Sequence, residues 1–241
     1  MKTHYLIDHN FIQDDEKLYG EFGHLLAFNP GGKDANLTLT FYFENQEPAE
    51  MIMVARHGES TETNYSKWPV KPGMRFALKV ESSEPIACQS TVGWNVTLND
   101  YGPTAKTKSP LGIRETAKSY MSITGLNKEW FLPDGIVIDM PKDIYVRESE
   151  WALILNPGDS AASVSLALHY KDIEVHSVTV PARRLMAVHM DEITRRNSHY
   201  GVHFQSDQPI AIQWLRTISW YDRDELMGYW SCPCVPGPLE G

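Results

Sequence analysis

Residues 36–44 read NLTLTFYFE, and this stretch decides the fold class. Apolar and polar side chains alternate along it, and a period of two is typical of a half-buried β-strand. A turn signal precedes it, because Asn29-Pro30-Gly31 joins a proline, which fixes φ, to a glycine, which permits positive φ. The same order of turn and strand returns at Asn156-Pro157-Gly158 and at residues 163–170, which read SVSLALHY.

The chain repeats itself at a period of domain size. A spacing of 127 residues places the first turn on the second, and it also places Ala55-Arg56 on Ala182-Arg183. Between residues 29 and 57, eight positions are identical to their partners, whereas about two are expected by chance at ordinary composition. A second block follows at a spacing of 124, in which Ser82, Pro85, Ile86, Ala87 and Gln89 match Ser206, Pro209, Ile210, Ala211 and Gln213. Because a solenoid repeat has only about 20–50 residues, we predict a tandem duplication with domains at 1–126 and 127–241.

Both copies are predicted to be β-structure. Further short apolar runs recur about every 8–12 residues with turns between them, which is typical of a sandwich or barrel. The predicted fold class is therefore all-β, with two tandem antiparallel β-sandwich domains of similar fold. A helical pattern is confined to residues 112–122 and 222–227, and residues 58–71 and 95–109 are predicted to be long loops.

Charge and hydropathy exclude several function classes. The chain has 31 acidic and 22 basic residues, which gives a formal net charge of −9. A net-negative protein without a long basic stretch repels nucleic-acid phosphates and anionic membranes. The sequence lacks the run of about 18 apolar residues that a transmembrane helix needs, and its first residues lack the apolar stretch of a secretory signal. We therefore expect a cytoplasmic protein that does not bind nucleic acid and does not insert into a membrane.

Metal, redox and enzymatic signatures are weak. Three cysteines are present, and Cys232-Pro233-Cys234 supplies only half of a zinc site, so free thiols are the simpler interpretation. A metal site built from histidines on different strands stays open, but no His-Glu-x-x-His motif occurs. The usual nucleophile, phosphate-loop and dinucleotide motifs are missing from the sequence. We expect no cofactor and favour a non-catalytic role, although carboxylate pairs cannot be judged without distances.

Several short motifs of the second copy resemble a known family. The chain reads LNPGD at 155–159, VPARR at 180–184 and SDQPIAIQ at 206–213, and Arg216 follows. Motifs of this kind, in this order, resemble the family of the Anabaena sensory rhodopsin transducer over about residues 130–230. The first copy resembles a diverged member over about residues 4–125. It has His57 in place of the second arginine of VPARR.

Other departures concern residues of a possible ligand site. The first copy has Val92 in place of the arginine that follows the glutamine. In the second copy Ala187-Val188-His189 replaces the family's His-Val-Arg, and Glu148-Ser149-Glu150 keeps only the glutamate of Ser-His-Glu. If these positions touch a ligand, the ligand of this chain differs.

The resemblance carries expectations about fold and partners. It implies a cytoplasmic β-sandwich without a metal or redox cofactor, in a family whose founder is a soluble transducer that associates with a photosensory rhodopsin and forms oligomers. It also implies binding of small molecules such as sugars, which has been proposed for the family. In a family that oligomerises, one duplicated chain replaces two subunits, so we expect a homo-oligomer with half as many chains.

Polar residues of the matched motifs are the candidate ligand-binding residues. Arg183 and Arg184 offer planar forks of donors suited to carboxylates, phosphates or vicinal hydroxyls, although a salt bridge is the structural alternative. Gln213 and Arg216 are further candidates, at the end of the apolar strand 210–212. Gln213 can donate and accept, which suits hydroxyl recognition, or it can satisfy backbone groups at a strand end. Glu150 is a candidate to orient Arg183 or Arg216, with a structural ion pair as the alternative.

Aromatic and first-copy residues complete the candidate set. Trp214 and Trp130 lie near the matched motifs, and an indole can stack on the apolar face of a sugar, although core packing is the alternative. Arg56 and Gln89 hold the matching positions in the first copy.

The predicted function is that of a non-catalytic sensory or regulatory protein that binds a small polar ligand, most simply a sugar or a related metabolite. A membrane sensor or a regulatory protein is a candidate partner. The alternatives are a protein–protein interaction module without a ligand and, less favoured, a carbohydrate-active enzyme or its accessory subunit.

Overall fold

The computed structural model describes residues 2–11, 13–14, 19–71, 74–97, 113–138, 146–220 and 226–238. Within these ranges the chain is almost entirely β-strand, which confirms the predicted all-β class. None of the helical segments among the described residues is long and apolar enough to cross a membrane.

The first half forms two antiparallel sheets. Its strands are β1 (Lys2–Phe11), β2 (Gln13–Asp14), β3 (Tyr19–Phe28), β4 (Ala35–Phe43), β5 (Ala49–Ala55), β6 (Ser60–Asn64), β7 (Met74–Ser82), β8 (Ala87–Thr97) and β9 (Ile113–Met121). We call the sheet of order β1-β7-β4-β5 the front sheet. The back sheet has β3 paired with β8 and β8 with β9, while β2 and β6 pair with β3.

The second half is built from β10 (Asn127–Ile136), β11 (Val146–Asn156), β12 (Ala162–His169), β13 (Ile173–Val180), β14 (Arg184–His189), β15 (His199–Trp220), β16 (Leu226–Pro233) and β17 (Val235–Pro236). Its front sheet has the order β13-β12-β15-β10, with β17 beyond β10, and in its back sheet β11 pairs with β14 and β15, and β15 with β16. The long strand β15 belongs to both sheets. In the first half β7 and β8 are separate strands at the matching positions.

The two halves share one strand order. The front order β5-β4-β7-β1 matches β13-β12-β15-β10, and the back order β6-β3-β8-β9 matches β14-β11-β15-β16. The segment at the end of each half also pairs with the first strand of that half. In the first half Ile123 forms a bridge with Tyr5 of β1, and in the second half Val235 pairs with Phe131 of β10. This correspondence supports the predicted tandem duplication.

The repeated Asn-Pro-Gly turn is held by its own asparagine. Asn156 is fully buried, its Oδ1 accepts from the Gly158 N–H at 3.1 Å, and its Nδ2 donates to the Ser160 carbonyl at 2.9 Å and the Val180 carbonyl at 3.1 Å. Asn29 makes the matching bond to the N–H of Gly31 at 3.0 Å. A buried amide that is satisfied in this way fixes where β4 and β12 begin.

Each half is a sandwich with its own apolar core. Inward side chains of the first front sheet, among them Leu37, Phe41 and Phe76, pack against Leu25 and Cys88 of the back sheet. The corresponding cluster of the second half includes residues of β10, β11, β12, β14 and β15. The alternation in residues 36–44 therefore faces a core, as predicted.

The outward face of the first front sheet is also buried. Tyr5, Ile7, Tyr42 and Ala77 point away from the first core and belong to the apolar cluster of the second half. Strands of the second back sheet cover this outward face, since β1 contacts β11 and β15, and β4 contacts β14. We call this contact the seam: it lies between the outward face of the first front sheet and the outward face of the second back sheet.

Two local predictions were wrong. Residues 113–121, predicted as helical, form β9, because β8 provides a partner for every residue from Ile113 to Met121. Tertiary pairing of this kind overrides a weak helical preference. The loop predicted for residues 58–71 contains β6. Residues 221–225 and 98–112, which carry most of the other helical segment and the second loop, lie outside the described residues, whereas residues 226–233 are strand.

Candidate functional site

A fully buried carboxylate organises one end of the second sandwich. Glu150 lies on β11 and points between the two sheets, where its Oε1 accepts from the Ile136 N–H at 3.1 Å and from Nε of Arg216 at 2.8 Å. Arg216 Nη2 donates to the same oxygen, and Oε2 accepts from the hydroxyl of Tyr200. These bonds compensate the burial of the charge, so Glu150 holds Arg216 in one position.

Tyr200 stays a hydrogen-bond donor in this group. Burial raises the pKa of its phenol, and the neighbouring Glu150 carboxylate raises it further. The neutral phenol therefore donates to the carboxylate across the ordinary pH range. The backbone N–H of Glu150 donates to Oδ1 of Asp191 at 2.8 Å, which ties β11 to the turn that follows β14.

Trp214 lies beside Arg216 on the same inward face of β15. The guanidinium carbon of Arg216 is 5.0 Å from the centre of the indole, which is a cation–π contact. The Nε1 atom of Trp214 is buried and has no hydrogen-bond partner among the described residues. Glu148, two residues before Glu150 on β11, likewise has a buried Oε2 without a described partner. We call Glu148, Glu150, Trp214 and Arg216 the arginine cluster.

Gln213 points to the other face of β15. It pairs with Leu153 in the ladder, and its side chain is fully buried. Its Nε2 donates to the hydroxyl of Ser231, while no described atom pairs with its Oε1. The ladder thus places Gln213 on the seam side of the sheet, away from the arginine cluster.

Arg183 and Arg184 lie far from the cluster. Arg184 pairs with Asn156 at the end of β11, whereas Trp151, next to Glu150, pairs with His189. The separation is five residues along β14, or roughly 17 Å at the rise of a strand.

The two arginines differ in backbone and in contacts. Arg184 donates to Glu47 of the first half, and this hydrogen bond lowers the pKa of the Glu47 carboxyl. Arg183 is exposed and has a positive φ of 54°, so it is a turn residue rather than part of a strand. Only Arg184 belongs to β14, which begins at this residue.

Trp130 is a core residue. Its side chain is 1% exposed. Its Nε1 donates to the carbonyls of Asn127 at 3.0 Å and Ile210 at 3.1 Å. An indole enclosed in this way offers no face to a sugar.

The remaining candidates lie in the first half. Arg56 is exposed after β5, and Gln89 lies half-buried on β8. The nine candidates therefore do not converge on one site, and the structure brings together only Glu150, Trp214 and Arg216.

Sequence reasoning missed a stack of side chains across the seam. The guanidinium carbon of Arg75 lies 4.8 Å from the ring centre of Trp151, and the imidazole of His189 stacks on that indole at 4.1 Å. His189 Nε2 is 3.4 Å from Oδ2 of Asp191. Only the alternation of β11 hints that Trp151 faces away from the core, and nothing in the sequence indicates Arg75 as its partner.

Metal-ligand residues are dispersed. Among the described side chains, no three from His, Cys, Asp and Glu are grouped as a metal site would need. Cys232 is exposed and Cys234 is buried. Burial raises the pKa of both thiols.

Comparison with solved structures finds proteins that are similar to part of the chain. A solved structure titled "Crystal Structure of Thermotoga maritima 1070" is 19% identical, with a TM-score of 0.40, covering 46% of this chain and 95% of that chain. The structure of the Anabaena sensory rhodopsin transducer is 26% identical, with a TM-score of 0.30, covering 36% of this chain and 92% of that chain. No curated protein matches the chain significantly.

The family model described as "Anabaena sensory rhodopsin transducer" matches residues 125–229. This range starts just before β10, includes the LNPGD, VPARR and SDQPIAIQ motifs, and reaches into β16. Over these residues the second half of the chain is similar to the Anabaena sensory rhodopsin transducer family.

Proposed function

We propose that the chain is a non-catalytic sensory or regulatory module of the transducer type, which binds a small polar ligand at the arginine cluster. The ligand class is a sugar or a sugar acid. The match of residues 125–229 to the transducer family model supports the sensory role. We further propose a cytoplasmic location, with a membrane sensor or a regulatory protein and a second copy of the chain as protein partners.

The observation that carries the ligand proposal is the unpaired donor and acceptor on either side of a fixed guanidinium. Trp214 Nε1 and Glu148 Oε2 are buried without described partners, and the Glu150–Arg216 pair lies between them on the same face. An unpaired buried polar group costs about 1–3 kcal/mol. A molecule with hydroxyl groups would remove both penalties, because a hydroxyl both donates and accepts.

Exposure and geometry agree with this role. The side chain of Arg216 is 23% exposed although its partner Glu150 is fully buried. A guanidinium that is held by a buried carboxylate and is partly exposed to solvent is pre-organised to bind a carboxylate or vicinal hydroxyls. Trp214 is half-buried, so part of the indole is also accessible.

A thermal-shift screen over monosaccharides and sugar acids tests the proposal. A ligand at 100 times its Kd stabilises the native state by about 2.7 kcal/mol. We expect Arg216→Met and Trp214→Phe to remove the shift. Arg195→Met is the matched control, because Arg195 lies 4.6 Å over the ring of Tyr170 and pairs with carboxylates on the surface of the same half.

Two results would contradict ligand binding at this place. One is a broad screen in which no compound shifts the midpoint of the wild type. The other is a shift that Arg195→Met weakens as much as Arg216→Met does.

An interaction module without a ligand is the second candidate. The observation that favours it is a set of large apolar side chains exposed on strands, namely Phe28, Ile52, Val54, Ile173 and Val175. Failure of the whole screen, together with a protein complex that survives Arg216→Met, would support this alternative.

A further inference from the structure

Strand β16 adds two side chains to the face that carries the arginine cluster. It pairs with β15 so that Trp230 lies directly opposite Arg216 and Cys232 directly opposite Trp214. Directly opposite residues of an antiparallel pair project to the same face of the sheet, with their Cβ atoms about 5 Å apart. Trp230 and Cys232 therefore extend this face beyond the cluster. Neither is among the nine candidates from the sequence, and Trp230 lies just outside the matched range 125–229.

The indole of Trp230 is an accessible apolar surface on this face. Trp230 is 50% exposed, whereas Glu150, which pairs with Arg216 from the other side, is fully buried. Arg216 thus lies between a buried carboxylate on β11 and an exposed indole on β16. An exposed aromatic ring next to fixed polar groups is the combination that binds a ligand with one apolar face.

The formal charges of the cluster favour an uncharged ligand. Two carboxylates, Glu148 and Glu150, accompany one guanidinium, and Arg216 already forms an ion pair with Glu150. A ligand carboxylate beside Arg216 would also meet the negative charge of Glu148, which lies two residues along β11 from Glu150. Like charges at close range disfavour binding. Hydroxyl groups avoid this penalty and can both donate and accept hydrogen bonds.

The unpaired polar atoms favour a sugar ring over a planar aromatic molecule. Glu148 Oε2 needs a donor and Trp214 Nε1 needs an acceptor, since neither has a hydrogen-bond partner within the described part of the chain. A planar aromatic ring could stack on Trp230, but it would leave both atoms unpaired at a cost for each. A pyranose combines an apolar face of C–H groups with hydroxyl groups around its edge, so it satisfies both requirements.

We propose that Trp230 is the stacking platform of the ligand site, on which the apolar face of an uncharged pyranose lies while its hydroxyl groups bind the polar groups of the arginine cluster. The inference rests on the proposed function and narrows it, because neutral sugars become the preferred ligands over sugar acids. It also assigns to β16 the side chain that completes the site.

Titration calorimetry with the full chain tests this assignment. The probes are glucose, galactose and mannose, each measured beside its own uronic acid. We expect a neutral sugar to bind at least about tenfold more tightly than its uronic acid, because the acid adds a third carboxylate to the site.

Variants of the platform are compared by the same titration. Trp230→Ala should raise the Kd of the bound sugar roughly 2- to 10-fold, which is the range that an aromatic contact supplies. Trp230→Phe keeps a smaller ring and should retain part of the affinity. Phe28→Ala is the matched control, because Phe28 is an aromatic residue of the first half that is 44% exposed on β3. Circular dichroism and the thermal midpoint report whether each variant is folded.

The thiol of Cys232 gives a second readout, which locates the bound sugar. Cys232 is exposed, whereas Cys88 and Cys234 are buried, so an aromatic disulfide reagent modifies Cys232 first. Because Cys232 lies opposite Trp214 beside the platform, the sugar that binds in calorimetry should slow this modification in the wild type and in Phe28→Ala. At the same sugar concentration the protection should be weaker in Trp230→Ala.

Three results would overturn the inference. The first is a Trp230→Ala variant that binds the sugar as tightly as the wild type while Arg216→Met loses it, which removes Trp230 from the site and leaves the proposed function intact. The second is a uronic acid that binds more tightly than its neutral sugar, which also leaves the proposed function intact. The third is a wild type that binds none of these probes, and the proposed function fails with it only if the broad thermal-shift screen also finds no ligand.

Discussion

Replacing Glu150 with alanine tests whether the buried carboxylate holds the end of the second sandwich together. The variant removes the acceptor of the Arg216 guanidinium, the Tyr200 hydroxyl and the Ile136 N–H in one step. Arg216 then lacks its counter-ion, and the two neutral donors lack an acceptor.

The expected loss in the free energy of unfolding follows from the burial of this ion pair. Removing one partner of a buried ion pair costs about 3–5 kcal/mol, because the other charge stays uncompensated. The Arg216 side chain is 23% exposed and can turn partly toward water, so we expect about 3 kcal/mol, at the lower end of that range. Glu150→Gln keeps one oxygen as an acceptor and should cost about 1–2 kcal/mol.

Urea unfolding followed by tryptophan fluorescence and circular dichroism measures the effect. With an m-value of about 2–3 kcal/mol/M, a loss of 3 kcal/mol shifts the midpoint by roughly 1–1.5 M. Glu174→Ala is the control, because Glu174 is 36% exposed and its partner Arg195 also binds Asp172. Exposed pairs contribute about 0–1 kcal/mol. A Glu150→Ala midpoint within the range of the control would refute the role that we assign to the carboxylate.

Three further predictions follow from buried polar groups. Trp130→Phe keeps the apolar packing but loses the bonds from the indole N–H to two carbonyls, so it should reduce the free energy of unfolding by about 1–3 kcal/mol in urea titrations. Burial lowers the pKa of His4, and the charge of Lys2 lowers it further. The unfolded chain then binds more protons, so stability falls as pH drops below about 6.5, and His4→Gln should flatten this fall in unfolding measured between pH 7.5 and 5. Burial raises the pKa of Cys88 to about 12, so an aromatic disulfide reagent should modify exposed Cys232 first and Cys88 only after unfolding.

The fold was predictable from sequence wherever apolar and polar residues alternate along a strand. Residues 36–44 and 163–170 show the alternation because their outward side chains are polar or small. β9 was not predictable in this way, because its place is fixed by pairing with β8 rather than by its own pattern. The repeat was predictable because the turn needs an asparagine that bonds both its own loop and the following chain.

The contacts of the site were predictable only where both partners belong to the recognised motifs of the same half. The pairing of Glu150 with Arg216 was foreseeable as an ion pair between two matched motifs. The contacts of Arg184 with Glu47 and of Trp151 with Arg75 were not, since each crosses the seam and joins residues from different halves. Sequence alone says which face of a strand is apolar, but not which sheet of which half covers it.

The seam explains where the two halves differ. Joining both halves in one chain raises their effective concentration to about the millimolar range, so the seam forms even if the separate domains would associate weakly. The second back sheet is thus always covered and is free to become apolar, as Trp151 and Ala187 show at positions where the first half has His24 and Glu62. On the first back sheet Phe28 is 44% exposed, and a fully apolar face there would favour uncontrolled association. The paired, partly exposed side chains of His24 and Glu62 instead keep this part of the face polar.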